Sequence, residues 1–108
     1  MTNEEVARVS VKIEGLQDGL AFVLNASRRS HAQIFVEFDG QALVVTRAKV
    51  SAKIPAVGNW PGTASFYDRE LLRKVHHLSV HEGMVTVKVS RSQLCIGECV
   101  FACEWKTA

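Results

Sequence analysis

The residue types able to do chemistry gather in two places. The stretch "QLCIGECVFACEW" (93–105) holds all three cysteines, Cys95, Cys99 and Cys103, spaced four apart, and "VHHLSVH" (75–81) holds His76, His77 and His81. Thiols and imidazoles in such numbers raise the question of a zinc or redox centre. Their spacing argues against one. A structural zinc site draws four converging ligands, usually in close Cys-x-x-Cys pairs. If Gly97-Glu98 is a tight turn, Cys99 and Cys103 share one face of a strand with Phe101 between them, and Cys95 faces the other way. His76 and His77 are neighbours, so on a helix they diverge, and only Glu82 stands near them at a ligand spacing. At a helix end they complement its negative pole. No phosphate loop, dinucleotide fingerprint, serine elbow or zinc-protease helix occurs. The expectation is a protein without enzymatic activity, cofactor or metal, with Cys99 and Cys103 as small buried apolar residues and Cys95 as the more exposed thiol.

The totals bound what must hold these residues. A chain of 108 residues makes one domain and buries a sufficient core without disulfide or metal. With 47% apolar and 22% charged residues it has the profile of a folded globular protein. No uncharged run reaches the ~18 residues of a membrane span. "MTNEEVARVS" is acidic where a signal peptide is basic and then apolar, so the expected location is cytoplasmic, with the cysteines reduced and no membrane contact. A formal net charge of +2 does not by itself argue for nucleic acid.

Alternation predicts strands at 9–13 and 34–38, with a helix between them marked by Leu16, Leu20, Val23 and Leu24. Strands at 42–46 and 49–54 follow the Asp39-Gly40 turn. The order then recurs: strand 63–66, helix 68–78 on Leu71, Leu72, Val75 and Leu78, strand 84–89, and a closing pair in 93–105. A shift of 51 lays one half on the other without a gap from the helix onward. Leu20 falls on Leu71, Leu24 on Val75, Val36 on Val87, Val50 on Phe101 and Ile54 on Trp105. Two units result, roughly 7–57 and 58–106, joined by "PAVGNWPG" (55–62). Under that shift the cysteines take the places of Val44, Ala48 and Ala52, none of which binds metal.

Two features exceed what the core requires. Basic residues follow the apolar stripe of both helices: Arg28, Arg29 and His31 after the first, and Arg69, Arg73, Lys74, His76 and His77 on the second. Complementing the helix dipole accounts for them singly. With the helices side by side, the two basic ends would merge into one surface suited to phosphates. Phe22 lies off its helix stripe and falls on Arg73, and Val44, Cys95, Val100 and Ala102 give the outer sheet face an apolar patch suited to a partner.

Two tandem strand-helix-strand-strand-strand units resemble one domain of the DNA sliding clamps. The segment "TASFYDRELLRKVHHLSVHEGMVTVKVSRSQLCIGECVFACEW" carries the likeness: a strand, a helix opening on Leu-Leu, an alternating strand, a short strand ending Ile-Gly, and a last strand ending in tryptophan. The resemblance implies an α+β clamp-like domain of two βαβββ repeats, with two helices packed on antiparallel sheet. It implies a homo-oligomeric protein, self-associating through sheet edges, with Arg28, Arg29, Arg69, Arg73 and Lys74 as contacts to the phosphates of double-stranded DNA without sequence specificity. A ring would need six copies joined through sheet edges, since clamp chains hold two or three such domains and this chain has one. No segment matches the family's partner pocket. The alternative expectation is a protein–protein interaction module that keeps the fold without the ring.

Overall fold

The computed structural model describes residues 5–67, 70–77, 83–90 and 92–107. Strand β1 (Glu5–Lys12) runs without a loop into helix α1 (Ile13–Ala26), and strands β2 (Ile34–Phe38), β3 (Ala42–Arg47), β4 (Val50–Asn59) and β5 (Gly62–Phe66) follow. After helix α2 (Leu71–His76) come β6 (Met84–Ser90), β7 (Gln93–Ile96), β8 (Cys99–Ala102) and β9 (Glu104–Thr107). The result is an α+β fold, two helices on one large antiparallel sheet of order β8-β7-β6-β1-β4-β3-β2-β5-β9. The core side chains form a single cluster, to which α1 contributes Ile13, Leu16, Leu20 and Val23 and α2 contributes Leu71 and Val75.

Two long runs of chain hold the sheet together. β4 pairs with β3 over Val50–Pro55, then with β1 over Ala56–Asn59. Residues 55–59, expected to be a linker, are therefore strand. Trp60, expected in the same linker, is buried and donates its indole N–H to the Val36 carbonyl at 3.1 Å. Tryptophan supplies both a large apolar area and a polar edge that needs a partner, so it seals this crossover. β8 and β9 form the second such run. Cys103 alone separates them, β8 pairing with β7 and β9 with β5.

The pairing register corrects the gapless shift. A shift of 51 holds in the middle, where Val36 faces Val45 as Val87 faces Ile96. It fails on both sides. Val36 pairs with Ala64 where Val87 pairs with Val9, so Val9 corresponds to Ala64, 55 residues on. Leu43 pairs with Ile54 where Leu94 pairs with Phe101, so Ile54 corresponds to Phe101, 47 residues on. The cause is length: the β7–β8 hairpin turns at Gly97-Glu98, two residues sooner on each arm than the β3–β4 hairpin at Ala48-Lys49. The helices follow the larger shift, since buried Leu71 and Val75 match buried Leu16 and Leu20.

The cysteines move with this correction. Cys95 keeps the place of Val44, while Cys99, paired with Ile96, matches Ala52, paired with Val45. Cys103 matches Ala56: the Ala56 N–H donates to the Gln41 carbonyl at 3.0 Å, and the Cys103 N–H to the Ser92 carbonyl at 2.8 Å. Ala48, the expected counterpart of Cys99, is instead a turn residue with φ 52°.

Candidate functional site

The basic residues were the first candidates, and the fold distributes them. α1 ends at Ala26, and the buried Ser27 hydroxyl and N–H both donate to the Val23 carbonyl and close it. Arg28 and Arg29 therefore lie beyond the helix, exposed in the turn that follows, with His31 also exposed. Beneath that turn Arg47 is buried. One terminal guanidinium N–H donates to the Ser30 carbonyl, the Nε has no partner among the described residues, and the guanidinium stands 5.7 Å from the Tyr67 ring centroid. Arg47 thus ties the chain after α1 to the chain before α2.

Gln17 near the start of α1 donates to the Val75 carbonyl near the end of α2, at 3.3 Å. Together these two contacts make the helices antiparallel. The two basic ends consequently do not merge. From Gln17 to Arg28 is roughly 16 Å at 1.5 Å per helical residue, so Arg28 and Arg29 lie at one end of the pair and Arg73 and Lys74 at the other. Arg73 is paired with Glu70 at 2.5 Å, and the Lys74 ammonium sits 5.1 Å from the Phe101 ring centroid. Arg69 and His81 lie outside the described residues, as does Leu78.

The register also changes what the basic residues correspond to. Under the helix shift Arg73 matches Asp18 and Lys74 matches Gly19; Phe22 matches His77, no longer Arg73. The agreement is geometric as well as numerical: Gly19 packs on Ile54, and Lys74 covers Phe101, the counterpart of Ile54. The outward stripe of α1 is thus Glu14, Asp18 and Phe22, all exposed, two carboxylates and a phenyl ring where phosphate contacts would need cations.

The outer-face patch separates as well. Cys95 and Val100 are direct cross-strand partners on β7 and β8, and Ala102 faces Gln93 in the same hairpin. Val44 is on β3, four strand steps from β7 in the sheet order, flanked by Glu37 and Lys53. Val100 is 54% exposed.

Two of the thiols, Cys99 and Cys103, lie where their charged form is disfavoured. Burial pushes the Cys103 thiol up, with the Cys95 sulfur adding to the effect. Burial also raises Cys99, as does Glu98, against the opposing Lys74 ammonium. The Cys99 S–H donates to the Lys74 carbonyl at 3.7 Å, so this thiol fastens β8 to α2. Among the described residues no three His, Cys, Asp or Glu side chains gather as a metal site would require, and no helix is long and apolar enough to cross a membrane.

One cleft was not legible in the sequence. It has a volume of about 540 Å³ and opens where β1 gives way to α1, between the start of that helix and the β4 crossover. Periodicity marks Glu14 and Asp18 as one helix face. The cleft itself depends on β4 continuing past Pro55, which the proline conceals. Against family models, curated proteins and solved structures alike, the chain finds no match.

Proposed function

We propose that the protein is a non-enzymatic interaction module with clamp-like strand order, which accepts an extended strand along the edge of β8 instead of closing a ring. The strand exchange at β4 and at β8–β9, with equivalent pairings in the two halves, supports the duplicated clamp-like reading. The observation that carries the function is the contrast between the open edge of β8 and the open stretch of β4 over Val50–Pro55. In a two-residue hairpin the closing pair is hydrogen-bonded, so Ile96–Cys99 and Leu94–Phe101 face inward and Val100 and Ala102 direct their amides away from β7. No described strand takes them. The same rule leaves Ser51, Lys53 and Pro55 pointing outward from β4. Proline has no N–H to give, and an edge lysine resists strand addition. The β8 edge carries neither safeguard, and exposed Val100 is the side-chain anchor beside it.

The guarded stretch of β4 would resist receiving the β8 edge of a second copy, which disfavours a ring closed through those two strands. Phosphate binding rests on Arg28 and Arg29, exposed and without an ion pair among the described residues. Light scattering across a concentration series tests the proposal, because a second copy is itself a source of an open β8. Mass should rise above the monomer, fall back with Val100→Glu, and be unmoved by Arg28→Glu with Arg29→Glu. A monomer at every concentration that binds duplex DNA with steep salt dependence overturns it.

A further inference from the structure

We infer that the cleft between α1 and the β4 crossover binds a short peptide segment of another protein, one that presents an apolar anchor flanked by lysine or arginine. This site is separate from the β8 edge. Its volume of about 540 Å³ falls within the range of binding pockets and suits one or two side chains rather than a strand. The apolar lining comes from Ile54, Ala56, Val57 and Met84. Val57 is 78% exposed and Met84 41%, two of the six exposed large apolar side chains among the described residues, and both line this one concavity. Scattered exposed valines are ordinary; a pair converging on a cleft is a docking feature.

The rim sets the partner's charge. Glu14 and Asp18 stand one helical turn apart on the exposed face of α1, and among the described residues Lys12 is the single cation lining the cleft. None of the three has an ion pair among the described residues. The chain as a whole carries a net charge of +2, so an acidic rim runs against the overall balance. A basic residue beside an apolar anchor satisfies both parts of this surface. Two backbone features agree. Pro55 leaves the cleft edge of β4 without an N–H, so recognition falls to side chains instead of strand addition. α1 opens without a side-chain cap; the Ile13 N–H is taken by the Gly83 carbonyl at 2.8 Å, which ties the helix start to the residue before Met84 at the cleft.

Selection of a random peptide library displayed on phage against the full chain tests this directly. The selected peptides should share an apolar residue with lysine or arginine within two positions. Synthetic copies, followed by fluorescence anisotropy, should lose about tenfold in affinity to the Glu14→Lys, Asp18→Lys variant, the effect of two modest charge contacts. In a ¹⁵N-labelled wild-type chain the same peptides should shift the amides of Glu14, Asp18, Val57 and Met84, a readout that needs no variant to fold. Peptides without basic residues, peptides that shift β8 alone, or binding indifferent to the charge reversal would overturn the inference. A change in self-association on Val57→Glu would also overturn it, by assigning the cleft to a second copy.

Discussion

Ala48 takes φ 52° at the first position of its two-residue turn, and Gly97 takes φ 60° at the same position of the other hairpin. A side chain in the left-handed region costs about 1 kcal/mol, which glycine avoids at some expense in unfolded-state entropy. Ala48→Gly should therefore raise stability by about 0.5 kcal/mol in urea denaturation. Asp39 makes a pH prediction. Its carboxylate accepts the N–H groups of Gln41 and Ala42, both at 2.8 Å, and lies 3.5 Å from the Lys53 ammonium. The two backbone bonds, helped by Lys53, hold its pKa below the ordinary 3.8. A carboxyl depressed on folding stabilises above its unfolded value and loses that contribution as pH falls through the folded one. The acid limb of a stability–pH curve, starting near pH 4, should accordingly flatten in Asp39→Asn. The thiols work at the other end. Cys99 and Cys103 are raised from 9.0, so their contribution is complete below that value and lost as pH climbs above it. At pH 8, iodoacetamide should reach half-buried Cys95 well before Cys103, which is 8% exposed, as peptide mapping of a time course would show.

At the scale of elements, β4 decides the architecture, and Gly58 is its tightest point. Gly58 faces Val9 at φ 149°, and a Cβ there would come within 2.2 Å of the Arg8 carbonyl. Gly58→Ala should cost about 2–4 kcal/mol, more than a typical surface change, and should speed amide exchange in the β1–β4 ladder first. β4 also shows why the sequence was readable only in part. Strands β2, β3, β6 and β7 announced themselves, because each alternates buried and exposed residues over one face. Pro55, Gly58 and Pro61 spoke for a linker, and in β4 they mean something else: a proline whose missing N–H faces an open edge, and a glycine where two backbones nearly touch. The recurring order of strands and helices was visible as a pattern. Its register was not, since one shift cannot follow a helical arm and a hairpin that both shorten. Leu20 and Leu24 match Leu71 and Val75 as letters, but Leu16 and Leu20 are the buried pair that does. Four pairings set this register where composition cannot.

Across the whole molecule, charge distinguishes a module from a clamp. A surface that tracks a duplex presents cations in a row, each releasing counterions as it meets a phosphate. Here the outward face of α1 is acidic, Arg73 is occupied by Glu70, and the free basic pair of Arg28 and Arg29 lies a helix length from α2's basic residues. Two phosphate contacts give a slope of log K against log salt of about −2, whereas four give about −4. Titration of a dye-labelled duplex between low and moderate salt should return no binding, or a slope no steeper than about −2 that vanishes with Arg28→Ala and Arg29→Ala. A slope near −4 that also drops on Arg73→Ala and Lys74→Ala would place both helices on the phosphates and restore the clamp reading. Because Glu70 already neutralises Arg73, its release would carry the signature. Glu70→Gln should then tighten DNA binding, and should change nothing if the sheet edge is where this protein meets its partner.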